Sequence, residues 1–410
     1  MNSRMTPDRR RVARRDVLRV GVAGLGALCI PRLSAGAITA SRPSEGEDDA
    51  TRLVLIELAG GNDGLNTIVP KSDDAYHNAR KVTRLAPKSL LPLDDYRGFH
   101  PVLANLREQW ESGRTAIVEG VGYPSPNRSH FKSQEIWGCA HLSGKAAGDG
   151  WIGNLLAREF AEEVSVTRAV HVGPKLPDPM ISSKHPVLCL AQPSQFRWAD
   201  ERTAPDAATV ASDGDSMRDR LTRVLTAAQS STERVRGAVA RYKTSVEFPD
   251  TDLGDALHVG AALLEGQLGT RIVSVTHPGF DTHAHQMDAH EGLLRDFDQS
   301  LGAFCRAIAG TAVGKNTVIM VYSEFGRRVA ENASKGTDHG AAAPMFVLGD
   351  SVKGGLYGEH PSLTELDDGD LIHSVDFRSV YSTVLQRVFG PSSVDVLDGR
   401  FDALPLFETA

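Results

Sequence analysis

From residue 52 onward the chain alternates between short, unbroken apolar runs and longer segments with helical spacing. That alternation restricts the fold more than any other feature. Leu53 to Leu58 is an apolar run that stops at Gly60-Gly61, and it reads as a buried strand. Thr115 to Val121, Ala169 to Val172, Val187 to Ala191, Arg271 to Thr276, Thr317 to Tyr322 and Met345 to Leu348 read the same way. Between them, Pro101 to Gly113 carries Leu103, Leu106 and Trp110 on one helical face. Trp151 to Phe160, residues 215 to 245, Leu253 to Leu268, Gln286 to Ala309 and Phe377 to Val388 also read as helices. Strands that are apolar along their whole length, rather than alternately, must be covered on both faces. Helices interleaved with such strands predict an α/β fold with a mostly parallel sheet. No repeat and no strong linker interrupts residues 52–410, which are expected to form a single domain, with the polar stretch Arg197 to Gly214 as a surface excursion.

The N-terminus predicts a different fate for the first residues. Arg14-Arg15-Asp16-Val17-Leu18-Arg19 precedes an apolar run from Val20 to Ile30 and small residues at Ala35-Gly36-Ala37. A basic region, a short apolar stretch and small residues make a signal peptide. The run is about 11 residues, well short of the ~20 needed to cross a bilayer, so no stable membrane span is expected. The arginine pair resembles the twin-arginine export motif. Residues 1–37 are therefore read as a twin-arginine signal peptide and 38–51 as a flexible, polar N-terminus. The translocase would be a transient partner, and the mature protein would be periplasmic or secreted. A net charge of −7 argues against nucleic acid or an anionic membrane surface as partner. Once Cys29 is removed, Cys139, Cys189 and Cys305 remain, a sparse, odd set that reads as buried thiols rather than a disulfide framework.

In open parallel sheets ligands bind beyond the carboxyl ends of the strands, and the chain's polar clusters fall there. After Leu58 comes Gly60-Gly61-Asn62-Asp63-Gly64, where glycines admit a close approach to an ion and Asp63 offers a hard oxygen. The plain alternative is a strand-exit turn. After Thr276 comes Asp281-Thr282-His283-Ala284-His285, an Asp and two His within five residues, the ligand types of zinc and similar ions. Its alternative is surface histidines and a helix cap. After Tyr322 come Ser323-Glu324-Phe325-Gly326-Arg327-Arg328. Glu324 suits a ligand or acid/base there, and Arg327 or Arg328 an oxyanion grip. Asp338-His339-Gly340 suits a further His ligand, with Asp338 either ligating or orienting the ring. After Val121, Ser129 is the best nucleophile, flanked by Arg128 and His130, with a capping role as its alternative. No GxSxG elbow, Walker loop or GxGxxG occurs, so serine-triad, P-loop and dinucleotide chemistry lose ground.

The stretches LVLIELAGGNDGLN, YPSPNRSHFKSQEIW, GFDTHAHQ, YSEFGRR and GTDHGAAAPMFVLG, in that order, resemble the bacterial domain-of-unknown-function 1501 family over about residues 52 to 390. That family in turn resembles the alkaline phosphatase and sulfatase superfamily. The resemblance implies an alkaline phosphatase-like three-layer sandwich with a mostly parallel central sheet. It implies one or two divalent metals (Zn, Ca, Mg or Mn) and phosphate or sulfate esters, small or glycan, as substrates. It points to Asp63, Asp281, His283 or His285, Glu324 and His339 as metal ligands and places Ser129 near the nucleophile. One departure stands out: Phe325 occupies a position where the superfamily usually has a second-metal His, and no Cys lies in a sulfatase-type CxPxR context. An exported metal-dependent ester hydrolase is the first expectation. A non-catalytic metal- or ligand-binding member of the superfamily is the second, and an unrelated oxidoreductase the third. The first requires His339 and the Asp281 loop, nearly sixty positions apart, to meet in space.

Overall fold

In the computed structural model, residues 50–143, 148–161, 165–191, 231 and 233–408 are described. The expected signal peptide, the excursion at 197–214 and most of the expected helix at 215–245 lie outside them. Residues 233–241, the end of that helix, are helical.

The central sheet contains β1 (Arg52–Ala59), β2 (Thr115–Gly122), β3 (Ala169–Val172), β4 (Leu188–Leu190), β5 (Ile272–Pro278) and β6 (Thr317–Tyr322). A hairpin, β7 (Arg327–Glu331) and β8 (Thr337–His339), follows β6 outside the sheet. The chain then re-enters it as β9 (Ala343–Leu348), β10 (Gly355–Tyr357) and β11 (Val375–Asp376). The strands lie in the order β10-β2-β9-β6-β1-β5-β3-β4, with β11 alongside β2. β1 is parallel to β5 and β6, with Leu53 opposite both Ile272 and Val318. β3 is parallel to β4 and β5, and β10 and β11 to β2. Among the described strands of this sheet only β9 runs the other way, against β2 and β6.

Side-chain alternation along β1 explains the layers. Val54, Ile56 and Leu58 point to one core, which they share with Leu257, Phe297 and Phe304. Leu53 and Leu55 point to the other, which contains Trp137, Leu155 and Tyr381. The helices α1 (Ala104–Glu111), α4 (Asp252–Glu265) and α5 (Gln286–Ile308) cover the first face, and α2 (His130–Cys139), α3 (Trp151–Glu159) and α6 (Phe377–Phe389) the second. α5 buries Leu294, Phe297, Leu301, Phe304 and Ile308, a spacing of three and four that keeps one stripe on the sheet. Thr251 caps α4 by accepting from Gly254 N at 3.1 Å, and Asp376 caps α6 by accepting from Arg378 N at 2.9 Å. The result is a three-layer α/β sandwich with a mostly parallel central sheet, as the apolar runs predict.

α1 is shorter than its sequence pattern predicts, but Leu103 and Leu106 are both fully buried. Cys139, Cys189 and Cys305 form no disulfide among the described residues; Cys189 is buried and the other two are half-buried. Among the described residues no helix is long and apolar enough to cross a membrane.

Candidate metal centre

The carboxyl ends of β1, β2, β5 and β6 open on one edge of the sheet, and the reversal of β9 brings its amino end to that same edge. The Gly336–Gly340 segment therefore reaches the loops that follow the parallel strands. There, His339 Nε2 lies 3.0 Å from Asp281 Oδ1, across 58 positions of sequence. His283 Nε2 lies 3.0 Å from the same oxygen and 2.8 Å from His339 Nε2. His130, the first residue of α2, adds its Nε2 at 3.4 Å from Asp281 Oδ1. His130, Asp281 and His339 present ligand atoms that all lie within 4.8 Å of one another.

The far side of each ring is anchored. His339 Nδ1 lies 2.7 Å from the Arg128 carbonyl oxygen, which can only accept, so Nδ1 carries the proton and Nε2 of the neutral ring carries a lone pair. His130 Nδ1 lies 2.8 Å from Glu324 Oε1, and its inward-facing Nε2 is buried without a hydrogen bond. His283 Nδ1 faces Asp338 Oδ1 at 3.3 Å. Histidines held at one nitrogen by a carboxylate or carbonyl while the other converges on a common point have the usual arrangement of metal-ligating imidazoles.

Charge follows the geometry. The hydrogen bond that His130 donates to Glu324 raises the pKa of His130, whereas burial lowers that of His339. Burial opposes ionisation of Asp281, but Arg327, which donates to Oδ1 and carries its charge beside it, holds the carboxyl well below the ordinary carboxylate range. The Asp281 side chain is 48% exposed, so the group is open to solvent on one side. Phe325 closes another side, its ring centroid 4.9 Å from that of His130 and 4.7 Å from that of His339.

Several expected residues take other roles. Asp63 is fully buried, and both its oxygens are engaged: Arg80 donates at 2.6 and 3.0 Å and Gln286 at 2.5 Å. It sits in an internal ion pair instead of the ligand group. Glu324 is also fully buried, and it accepts from Gly60 N at 3.0 Å and Gly61 N at 3.2 Å besides meeting His130. The glycine turn expected to cradle an ion thus holds a protein carboxylate, and Glu324 orients a ligand rather than acting as one. Gly60 and Gly61 have φ of 120° and 74°, and a Cβ on Gly60 would come within 2.4 Å of Asp281 N.

Arg327 does not offer an oxyanion grip. Its guanidinium is buried and donates to the carbonyls of Gly60, Gly61, Phe280 and Thr337 and to Asp281 Oδ1. Every donor is used inside the protein, so Arg327 ties the β1, β5 and β8 loops together. His285 is exposed at the N-cap of α5, with φ of 46°, while His283 turns toward Asp281. Asp338 orients His283 and also accepts from Asn332 at 2.9 Å. Ser129 is exposed at the N-cap of α2, beside His130. His130 has a usable signal in the sequence, a ligand-type side chain in the segment that follows the β2 strand, next to Ser129.

Residues 121–388 match the family model described as "Protein of unknown function (DUF1501)". The chain belongs to that family. No curated protein matches the sequence. Among solved structures, similarity extends to a sulfatase from Pseudoalteromonas sp. at 10% identity, covering 94% of this chain and 78% of that one, with a TM-score of 0.38. A protein in the alkaline phosphatase superfamily from Vibrio parahaemolyticus shares 11% identity over 86% of this chain and 68% of that one, with a TM-score of 0.38. The lipoteichoic acid synthase LtaP from Listeria monocytogenes shares 8% over 79% and 70%, with a TM-score of 0.34.

Proposed function

We propose that this DUF1501 protein is an exported, metal-dependent hydrolase of phosphate or sulfate esters, with its ion held by His130, Asp281 and His339 and with His283 at the open side. The observation that supports this most directly is that His130, Asp281 and His339 present ligand atoms all within 4.8 Å of one another, while the Nδ1 of each of the two rings is held by a protein acceptor so that Nε2 faces the shared point. A tetrahedral site with bonds of about 2.0–2.1 Å has ligand atoms about 3.3 Å apart, close to the 3.0 and 3.4 Å separations around Asp281 Oδ1. Three protein ligands with one side exposed is also the pattern of catalytic rather than structural zinc sites.

When bound, a divalent ion supplies Lewis acidity to an ester oxygen. The chain supplies the rest: Glu324 and the Arg128 carbonyl fix the two rings, Phe325 excludes water from one side, and Ser129 offers an exposed hydroxyl beside His130 as nucleophile. Elemental analysis of protein purified without chelator, with aryl phosphate and aryl sulfate assays in Zn, Mn, Ca or Mg, tests this reading. Activity that depends on an added ion and disappears in Asp281→Ala is expected, and metal-independent turnover retained in that variant rejects it.

Phe325 favours a second reading, binding without turnover. Its ring fills space beside the two histidines, where a second ion's ligand would have to stand. Metal binding with no ester cleavage under any ion would select that alternative.

A further inference from the structure

A separate cavity of about 710 Å³ opens beside the centre, at the carboxyl ends of β1, β3, β5 and β6. Its size is within the range of small-molecule sites. α2 forms the shared wall: His130 faces the cluster, while Phe131, Gln134 and Trp137 line the cavity. One row across the sheet forms its inner end. Glu57 of β1 stands opposite Tyr322 of β6 on one side and Thr276 of β5 on the other, and all three line the cavity.

Glu57 and Tyr322 are only 9% and 5% exposed. Thr276 Oγ1 donates to Glu57 Oε2 at 3.1 Å. Among the described residues, Glu57 Oε1 and the Tyr322 hydroxyl have no hydrogen-bond partner, and Glu57 has no ion pair. Neither atom is sealed: each keeps accessible surface where its side chain lines the cavity. The Tyr322 ring is fixed by stacking on Trp137, with centroids 5.7 Å apart. A carboxyl this deep without a counter-charge is costly, and one that opens on a cavity points to a ligand. Burial, aided by the charge of Glu324, pushes the Glu57 pKa up to about 7, and burial also raises that of Asp178, a half-buried carboxyl in the same lining. A cation would relieve both.

The rest of the lining selects the same sign. Asp252 and Asp255, from the first turn of α4, add two exposed carboxyls. Against these four stands Lys175, which is exposed and forms no ion pair among the described residues. Burial brings the His171 pKa down to about 4, so that ring adds no positive charge near neutral pH. The carboxyls do not close on a bare metal ion. Among the described residues, His130, Asp281 and His339 alone bring three such ligand atoms together. An organic cation whose N–H groups reach separated acceptors fits instead, and the aromatic walls of Trp137, Tyr322 and Phe131 suit a positive charge.

We propose that this cavity binds an organic molecule through a primary ammonium group, which donates to Glu57 Oε1 and the Tyr322 hydroxyl, with Asp178 adding charge and the aromatic walls packing on the carbon skeleton. The binding stands on the cavity alone. Its role in holding the amine-bearing end of an ester substrate rests on the hydrolase reading.

Saturation-transfer NMR and calorimetry on the full mature chain test it with four probes of one shape: benzylammonium, neutral benzyl alcohol, anionic benzoate, and benzyltrimethylammonium, which keeps the charge but has no N–H. Millimolar or tighter binding of benzylammonium is expected, at least about tenfold tighter than that of the other three. Glu57→Gln, which keeps the shape and removes the charge, should weaken it at least about tenfold without lowering the melting temperature. Tyr322→Phe, which keeps the stack on Trp137 and deletes the hydroxyl, should weaken it about three- to tenfold. Asp281→Ala should leave benzylammonium binding intact even though it removes metal binding, so a failed hydrolase reading and a failed cavity reading give different results. No binding of benzylammonium, equal binding of benzyl alcohol or benzyltrimethylammonium, undiminished binding in either folded Glu57→Gln or folded Tyr322→Phe, or loss of binding in folded Asp281→Ala each overturns the inference.

Discussion

Asp63 and Asp281 both follow strands of the central sheet, both hold low pKa values, and both meet an arginine, yet they do different work. Asp63 is sealed, its two oxygens taken by Arg80 and Gln286. Asp281 gives one oxygen to Arg327 and three converging imidazoles and leaves the rest of its side chain half exposed. A strand-end position makes an aspartate available to a site. What the neighbours leave unengaged decides whether it can ligate.

The largest expected effect probes the sealed member. Arg80→Met strands a buried carboxylate and also removes donors to Val329 and Arg328 carbonyls, so it should cost about 3–5 kcal/mol in urea unfolding. A loss below about 1 kcal/mol would show that the internal pair is not structural and would break the contrast. Asp281→Ala should do the reverse. It should weaken Zn binding by more than about 100-fold in a chelator-competition titration, since even outer-shell partners account for ten- to a hundredfold. Its melting temperature should hardly move. If Asp63→Asn weakens Zn as strongly in a folded protein, the two residues are not functionally distinct.

Glu324→Gln keeps the shape but removes the charge that fixes His130, and about a tenfold loss of metal affinity is expected from the same titration. The smallest effect is in acid. Burial raises the Asp63 pKa, but the neighbouring Arg80 charge outweighs it, so the folded value lies below the unfolded one. That stabilisation is therefore present above the unfolded carboxylate range, near pH 4, and is lost as pH falls through the lower folded value. The wild-type unfolding free energy should drop more steeply below pH 4 than that of Asp63→Asn, by at most about 1.4 kcal/mol per pH unit for the one proton. Equal slopes would remove Asp63 from the account of acid sensitivity.

These contrasts explain how much was legible in advance. Strands β1 to β6 and β9 were visible because each is a continuous apolar run, and α5 because its buried stripe repeats at helical spacing, whereas the short β10 and β11 carry no such run. The approach of Asp281 to His339 followed from the rule that polar groups gather beyond strand ends. The β7–β8 hairpin was not visible. RRVAE and TDH are short and polar, and their pairing of Arg327 with His339 depends on Arg327 being drawn inward by four loop carbonyls. Arg80, in a plain polar stretch, showed nothing in sequence of its bond to Asp63. Glu324 and Asp63 have the residue type of ligands, and only the three-dimensional partners assign one to orienting His130 and the other to an ion pair.

The donors of the centre come from the start of α2, the loop after β5 and the end of the β8 strand, which are joined only through the assembled sheet. No partly folded fragment holding one or two of these pieces can grip an ion as the whole does. An ion bound there would act as a reversible cross-link across three distant stretches of chain, binding the native state alone and raising its stability with the logarithm of free ion concentration. Loading would then report complete assembly, and chelation would shorten the lifetime of the folded protein without altering a single peptide bond.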